Sequence, residues 1–190
     1  MKRRALLTIG AGMAAFVLAG YKPALADLEP DRMWLIYRRY RLMIVGPGDD
    51  ATALALAGAV VGALAGFLPA SRAQLARAAD TRRVGVLIAT NQQDVAIIAA
   101  KSAEALFLAK PPFDDVRHVP LMLLVSFGSH ALVCRSDFMA RDAYLVAQTL
   151  AEHQDALPTP AAAPEGVVPT HPGSHAFFAG EDIPSPSSAA

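Results

Sequence analysis

The amino-acid sequence predicts an α/β fold in which a mixed sheet is flanked by helices. Two short aliphatic runs, Leu42–Val45 and Asp94–Ile98, have the length and composition of buried strands. The uncharged run Ala51–Leu68 and the segment Arg82–Gln92 have the apolar patterns of helices. Ser71–Ala79 is either a strand with polar outer positions or a helical turn. With a strand there, the order is β-α-β-α-β, which is typical of a parallel or mixed sheet covered by helices.

The first of these units combines a strand, a glycine-containing turn and a helix. The turn Gly46-Pro47-Gly48 is expected to end the strand, because glycine permits unusual backbone angles and proline has no N–H to donate. Asp49 or Asp50 can cap the helix by accepting hydrogen bonds from N–H groups of its first turn. A helix N-terminus ordinarily suits an anion, but two aspartates repel one. We therefore expect a cationic or neutral group at this turn, or no ligand at all.

The same helix has a second interpretation as a membrane span. Ala51–Ala70 is 20 uncharged residues long, about the length that a bilayer core requires. Gly58, Gly62 and Gly66 repeat at the four-residue spacing that lets helices approach closely in lipid. However, alanine and glycine gain little on transfer to hydrocarbon, and Asp49-Asp50 stands at the edge of the run. We favour a helix buried on a sheet, with membrane anchoring through residues 51–70 as the alternative.

The first 26 residues have the organisation of an export signal peptide. A positive region, Lys2-Arg3-Arg4, precedes the apolar run Ala5–Ala19. Ala24-Leu25-Ala26 then provides a small-residue cleavage site, so cleavage is expected after Ala26. The paired arginines resemble a twin-arginine signal, with general secretion as the other route. The sequence therefore predicts an exported protein, with an uncleaved anchor helix as the alternative.

Removal of this signal leaves a chain of 164 residues, which is enough for one modest domain with its own core. Its 13 basic and 17 acidic residues give a net charge of −4, because the signal carries four of the 17 basic residues of the full chain. A mildly acidic chain without a basic patch is not expected to bind nucleic acid. Cys134 is the only cysteine, which excludes an internal disulfide and favours a small buried side chain.

The C-terminal half adds further strands and a helix. His118–Leu124 and His130–Arg135 are apolar runs that form one bent strand or a close pair of strands. Ala140–His153 is amphipathic, with one apolar face that should pack on the sheet. Four polar side chains of this helix are expected to point away from the core: Arg141, Asp142, Gln148 and Glu152.

The predicted domain organisation has three parts after the signal peptide. Residues 27–157 form the α/β lobe. Residues 158–182 form a linker rich in proline and alanine, followed by a His-Pro-Gly segment that packs on the lobe. Residues 183–190 form a disordered tail.

Candidate catalytic and metal-binding residues are few. Ser126, Ser129 and His130 are close in sequence, but neighbours along a strand point to opposite faces, and no acid is placed to orient the histidine. His171 and His175 have a metal-ligand spacing only if their segment is helical, which the intervening Pro-Gly is expected to prevent. We therefore expect no enzymatic activity, no cofactor and no metal.

Five segments of the chain are similar to motifs of one protein family and occur in that family's order. Arg41–Leu64 resembles a strand with a Gly-Pro-x-Gly-Gly-Thr-Tyr-Tyr turn and a helix of small residues, and Leu87–Ile98 resembles Leu-Leu-x-x-Gly-x-x-Asp-x-Ala-Ile-Val. Lys110–Phe113 resembles a Gly-x-x-Pro-Phe loop. Ala131–Leu150 resembles a Leu-Val-Thr-Arg-x-Asp strand with its helix, and His171–Phe178 resembles His-Pro-Gly-Ala-x-x-Tyr-Tyr. The family is TAXI, the extracytoplasmic solute-binding proteins of tripartite (TRAP) transporters.

This resemblance implies a periplasmic-binding-protein-like fold, a small-molecule solute as ligand, and TRAP membrane subunits as partners. It places the ligand-binding residues at the opening turn and at the start of the second helix: Gly46, Pro47, Gly48, Asp49, Asp50, Ala51, Thr52 and Thr81. The mature chain has room for about one of the family's two lobes, which is the basis for expecting a single-lobe domain. Asp49–Ala53 and Ala79–Thr81 replace the family's Gly-Gly-Thr-Tyr-Tyr and Gly-Gly-Ser, so ligand binding should be altered. The alternative is a periplasmic structural or accessory module that docks another protein.

Overall fold

The computed structural model describes residues 41–116 and 119–184. The predicted signal peptide, its cleavage site after Ala26 and residues 185–190 of the predicted tail lie outside the described residues. The strands are β1 (Met43–Pro47), β2 (Gln74–Ala78), β3 (Val95–Ala99), β4 (Leu121–Phe127) and β5 (His130–Arg135). The α-helices are α1 (Ala51–Phe67), α2 (Thr81–Ala89), α3 (Ala100–Phe107), α4 (Ala140–Glu152) and α5 (Pro172–Phe178).

The strands form one mixed sheet in the order β2-β1-β3-β5-β4. β1 runs parallel to β2 and β3, whereas β5 runs antiparallel to β3 and β4. The prediction of a mixed sheet flanked by helices is confirmed, and the strand interpretation of Ser71–Ala79 is correct because β2 lies within it. β4 and β5 are a close pair of strands joined by the two-residue turn Gly128-Ser129. Gly128 has a φ of 61°, which tight hairpin turns require and glycine adopts readily.

Helices cover both faces of the sheet with apolar side chains. α1 and α4 pack on one face, and α2 and α3 pack on the other. Along β3, Val95 and Ile97 belong to the first core, whereas Ala96 and Ile98 belong to the second. This division follows from the alternation of side chains across a sheet. Because both faces of β3 are buried, the strand is an unbroken apolar run.

The packing of α1 explains the long uncharged run of the sequence. Six of its residues are buried against the sheet and α4: Ala53, Leu56, Ala57, Val60, Ala63 and Leu64. The glycines at four-residue spacing lie away from this contact, because a Cβ added at Gly58, Gly62 or Gly66 would meet no atom within 4 Å. The alanines, rather than these glycines, therefore allow α1 to lie close to the sheet. Within the described residues, no helix is both long enough and apolar enough to cross a bilayer.

The segment after α4 that is rich in proline and alanine runs along the outer side of β4. Ser126 and Ala162 exchange two backbone hydrogen bonds of 3.0 and 2.9 Å. Leu123 donates to the Pro169 carbonyl over 2.9 Å, and its own carbonyl accepts from the His171 N–H over 2.8 Å. These bonds pair backbone groups that would otherwise form an open edge of the sheet. The segment therefore covers this edge.

Three local predictions are wrong, each for a reason that the packing shows. Gly46-Pro47 belongs to β1, because the ladder to β2 continues as far as Gly48, whose N–H donates to the Ala78 carbonyl over 2.9 Å. Asp142 is buried rather than exposed, because α5 packs over the first turn of α4. The Pro-Gly dipeptide does not prevent a helix, because Pro172 is the first residue of α5, where no intrahelical N–H is needed.

Candidate functional site

Two turns approach each other at one end of the sheet. The carboxyl ends of β1 and β3 lie side by side there, and β5 begins beside them because His130 pairs with Ala99. The helix that follows β1 covers one face of the sheet, whereas the helices that follow β2 and β3 cover the other. Ligands of open α/β sheets bind at such points of divergence, outside the carboxyl ends of the strands. The β1–α1 turn and the β4–β5 turn therefore frame the candidate site.

A hydrogen-bonded series of three side chains connects these turns. Nε2 of His130 lies 3.0 Å from Oδ2 of Asp50, and Nδ1 of His130 lies 3.1 Å from Oγ of Ser129. The side chain of His130 is 11% exposed and that of Asp50 is 27% exposed, whereas Ser129 is an exposed residue. The series thus runs from a partly buried acid, through a buried imidazole, to a hydroxyl that solvent can reach.

Asp50 has a second role at the start of α1. Its Oδ1 accepts from the Ala53 N–H over 2.9 Å, so the prediction that an aspartate caps this helix is confirmed. Burial raises the pKa of Asp50, but hydrogen bonds from Ala53 and His130 outweigh this effect, and the pKa is lowered overall. An ionised carboxylate only accepts hydrogen bonds, so Nε2 of His130 carries the proton that faces it. In the neutral imidazole, the lone pair of Nδ1 then faces the Ser129 hydroxyl.

The expectation that no acid lies near His130 is wrong. Asp50 and His130 are 80 residues apart in the sequence. The pairing of β3 with both β1 and β5 brings them together. Ser129 also escapes the rule that neighbours along a strand point to opposite faces, because it lies in the turn before β5. The sequence shows an aspartate pair after the first strand. It does not show that one of these aspartates meets His130, because that depends on the order of the strands in the sheet.

Asp49 connects the end of β1 to the start of α2. Its Oδ1 accepts from both the N–H and the hydroxyl of Thr81, each over 2.9 Å. Asp80 caps the same helix by accepting from the Arg83 N–H over 2.6 Å. Two carboxylates therefore hold the first turn of α2, and Thr81 is occupied by Asp49.

A cleft of about 410 Å³ opens between α1 and the β4–β5 turn. Its polar lining consists of Thr52, Ser129, His130 and Thr159. Its apolar lining is formed mainly by Ala51, Ala55, Leu56, Phe127 and Pro158. None of the described residues that line the cleft is a lysine or an arginine.

The eight predicted ligand-binding residues are placed differently with respect to this cleft. Ala51 and Thr52 line it, and Asp50 is connected to it through His130. The other five lie in β1, in the turn after it, or at the start of α2: Gly46, Pro47, Gly48, Asp49 and Thr81. Sequence reasoning missed the wall that the β4–β5 turn and the segment after α4 contribute.

His171 and His175 do not form a metal site, even though their segment is helical. Nε2 of the buried His171 donates to the Phe138 carbonyl over 2.8 Å, and its Nδ1 accepts from the Gly173 N–H over 3.2 Å. Because both ring nitrogens are engaged, no lone pair is left for a cation. Burial lowers the pKa of His171, and the hydrogen bond to Phe138 only partly offsets this. In the part of the chain that the structure describes, no three metal-ligating side chains are grouped together.

The buried imidazole of His171 makes stability dependent on pH. The unfolded chain protonates this residue near the ordinary histidine pKa of about 6.5, whereas the lowered pKa of the native state means that the folded protein takes up this proton only at a lower pH. The unfolded state therefore binds more protons, and the free energy of unfolding should fall as the pH drops below about 6.5. His171→Gln should remove much of this decrease, and His175→Gln, at an exposed position of the same helix, should retain it. Urea denaturation at pH 7.5, 6.0 and 5.0 measures the effect, and equal decreases in the wild type and His171→Gln would contradict it.

No protein-family model matches the sequence, and a search of the curated proteins finds no match. The TAXI resemblance therefore stays a prediction. The geometry of the cleft carries the functional conclusion.

Proposed function

We propose that the chain is an exported, periplasmic solute-binding lobe that acts with TRAP-type membrane subunits. The observation that carries this proposal is the cleft beside the carboxyl ends of β1 and β3, with Ser129 and His130 on its wall and Asp50 behind them. Its volume of about 410 Å³ falls within the range of about 300–1,000 Å³ that is typical of small-molecule sites. The position of the cleft agrees with the general rule for open α/β sheets.

The lining of the cleft favours a neutral or cationic solute with hydrogen-bonding groups. Thr52, Ser129 and Thr159 offer hydroxyls, which both donate and accept. Asp50 adds a negative charge, and no described lysine or arginine lines the cleft to balance it, so a carboxylate would be repelled. Phe127 supplies apolar surface for a short hydrocarbon portion. Amino alcohols and polyols combine these features.

Thermal unfolding of the mature chain in the presence of polyols, amino alcohols and carboxylates tests this proposal. A solute at 100 times its Kd should add about 2.7 kcal/mol to the free energy of unfolding, because it binds only the native state. Thr52→Tyr places a ring at the cleft and should abolish the shift in melting temperature. The matched control Thr90→Tyr, at an exposed position after α2, should retain the shift.

Two results would contradict the solute-binding proposal. The first is an unchanged melting temperature with every compound at millimolar concentration. The second is an equal shift in Thr52→Tyr and Thr90→Tyr, which would place binding elsewhere. The first result would favour the accessory module that docks another periplasmic protein.

A further inference from the structure

We propose that the same cleft is an acyl-transfer site that hydrolyses small carboxylic esters, with Ser129 as nucleophile, His130 as general base and Asp50 as the acid that positions the imidazole. This activity goes beyond solute binding, since it includes a covalent step. The expectation of no enzymatic activity depended on the absence of an acid near His130. Asp50 occupies that place, 3.0 Å from the imidazole.

The hydrogen bonds give each of the three side chains the required role. Asp50 accepts the Nε2–H of His130, which fixes the tautomer whose Nδ1 carries a lone pair. That lone pair lies 3.1 Å from Oγ of Ser129 and can take its proton. The nitrogens are used in the opposite order from the chymotrypsin triad, in which the serine faces Nε2. The roles are preserved, because an acid orients one nitrogen and the other serves the nucleophile.

The nucleophile is accessible, whereas its base is shielded. Ser129 is exposed at the β4–β5 turn and lines the cleft. His130 is 9% exposed and is held between this turn and the β1–α1 turn. A shielded imidazole keeps its orientation, and an exposed hydroxyl can reach a substrate carbonyl in the cleft.

The first turn of α1 provides one hydrogen-bond donor for the negative charge that develops on the carbonyl oxygen. Ala51 and Thr52 line the same cleft, and the first N–H groups of a helix have no intrahelical acceptor. Asp50 takes the N–H groups of Thr52 and Ala53, which leaves that of Ala51 for the substrate. Donors of this kind stabilise an oxyanion more strongly than the neutral ester.

The reaction consumes only an ester and water, and it yields an alcohol and a carboxylic acid. Oγ of Ser129 forms a bond to the carbonyl carbon while its proton passes to Nδ1 of His130. The tetrahedral intermediate then breaks its bond to the alkoxide oxygen, which takes the proton from His130 and leaves as an alcohol. His130 next removes a proton from water, the hydroxide attacks the acyl-serine, and Ser129 recovers its proton as the carboxylic acid leaves. Leu56 and Phe127 offer an apolar wall for a short acyl chain.

A fluorophosphonate probe tests the nucleophile directly. Oγ of an activated serine displaces fluoride and retains the phosphonyl group, which intact-mass spectrometry detects. We expect the wild type to gain one phosphonyl group and Ser129→Ala to gain none. The matched control Ser136→Ala removes an exposed serine outside this cleft and should be labelled like the wild type. Hydrolysis of p-nitrophenyl acetate should fall by about 100-fold or more in Ser129→Ala.

Asp50→Asn distinguishes the positioning of the His130 imidazole from an effect on the stability of the fold. Asparagine is as good an N-cap as aspartate, so the melting temperature should stay close to that of the wild type. Its amide donates to Nε2, which moves the imidazole proton to Nδ1 and directs it at Ser129. We expect kcat to fall by about 100-fold or more while KM stays nearly unchanged, as expected for the loss of general-base catalysis.

Any one of the following results would overturn the proposal. The first is that the natively folded wild type is neither labelled nor active above the buffer rate. The second is that the wild type and Ser129→Ala are labelled equally. The third is that kcat is unchanged in Asp50→Asn. His130→Gln adds an independent check, because it removes the base and should abolish labelling while circular dichroism remains native. Labelling that persists in this variant would likewise contradict the assigned role of His130.

Discussion

Replacing Gly173 with alanine is expected to lower the free energy of unfolding by roughly 3 kcal/mol or more. Gly173 is the second residue of α5 and lies directly against the start of α4. An added Cβ would overlap the Ala140 carbonyl oxygen, and it would lie 2.7 Å from the carbonyl carbon and 3.0 Å from the Cα of that residue. These are backbone atoms, which cannot rotate away as a side chain can. The two helices must therefore separate, and the core beneath them loses contacts.

Urea denaturation measures this effect, with Gly62→Ala as a matched control. A Cβ added at Gly62 in α1 would meet no atom within 4 Å. Alanine there should raise the free energy of unfolding by about 0.5–1 kcal/mol, because it favours the helix without creating a clash. The two substitutions should thus change stability in opposite directions. A small loss or a gain in Gly173→Ala would contradict the close packing of α5 on α4.

Truncation of Phe113 to alanine should cost about 3–5 kcal/mol of the free energy of unfolding. Phe113 is fully buried in the core on the face covered by α2 and α3. Its ring fills the space beside Gly85 in α2, where an added Cβ would lie 2.7 Å from the Cε1 atom of the ring and 3.0 Å from Leu106 in α3. Removal of the ring leaves a cavity that the glycine cannot fill. The loss therefore includes both the transfer free energy and the cavity term.

Phe67→Ala is the control for this second prediction. Phe67 is 52% exposed at the end of α1, and its ring stacks on that of His153 with centroids 3.6 Å apart. Loss of this exposed contact should cost about 1 kcal/mol or less. Chemical denaturation of both variants should show a much lower midpoint only for Phe113→Ala. Similar midpoints would mean that Phe113 is not a core residue.

Much of the fold could be predicted because its signals are local. β1 and β3 are short apolar runs, and α1 is an uncharged run that follows a capping aspartate. A strand, a cap and an apolar helical face each depend on residues within a few positions of one another. The same local information predicted the order of the elements, which led to a mixed sheet.

The candidate site could not be predicted in the same way, because it depends on which strands are neighbours. Asp50 follows β1 and His130 opens β5, and only the central position of β3 places them at the same end of the sheet. Ser129 became part of the site because β4 ends before it and a two-residue turn follows. The strand order is not encoded near these residues. The Gly128-Ser129 turn is a local signal, but the sequence left open whether it bends one strand or joins two.

Asp142 shows a different limit of sequence reasoning. Helical periodicity places it on the same side of α4 as Val146 and Leu150, which lie four and eight residues further along and are buried. Because Asp142 is charged, it was predicted to be exposed. This prediction is wrong because α5 packs over this part of α4. The His-Pro-Gly segment was expected to pack on the lobe without forming a helix, and the pattern of α4 did not indicate that its first turn is the surface that this segment covers.

The backbone pairing between β4 and the segment after α4 also determines where the chain can be shortened. The pairing reaches Thr170, and the Tyr144 hydroxyl donates to the Glu181 carbonyl over 3.1 Å. A chain that stopped at residue 157 would present unpaired N–H and C=O groups along β4, which invite strands of other molecules. The segment that resembles a linker therefore occupies backbone groups of β4 that could otherwise pair with other molecules, and a shortened chain should retain it.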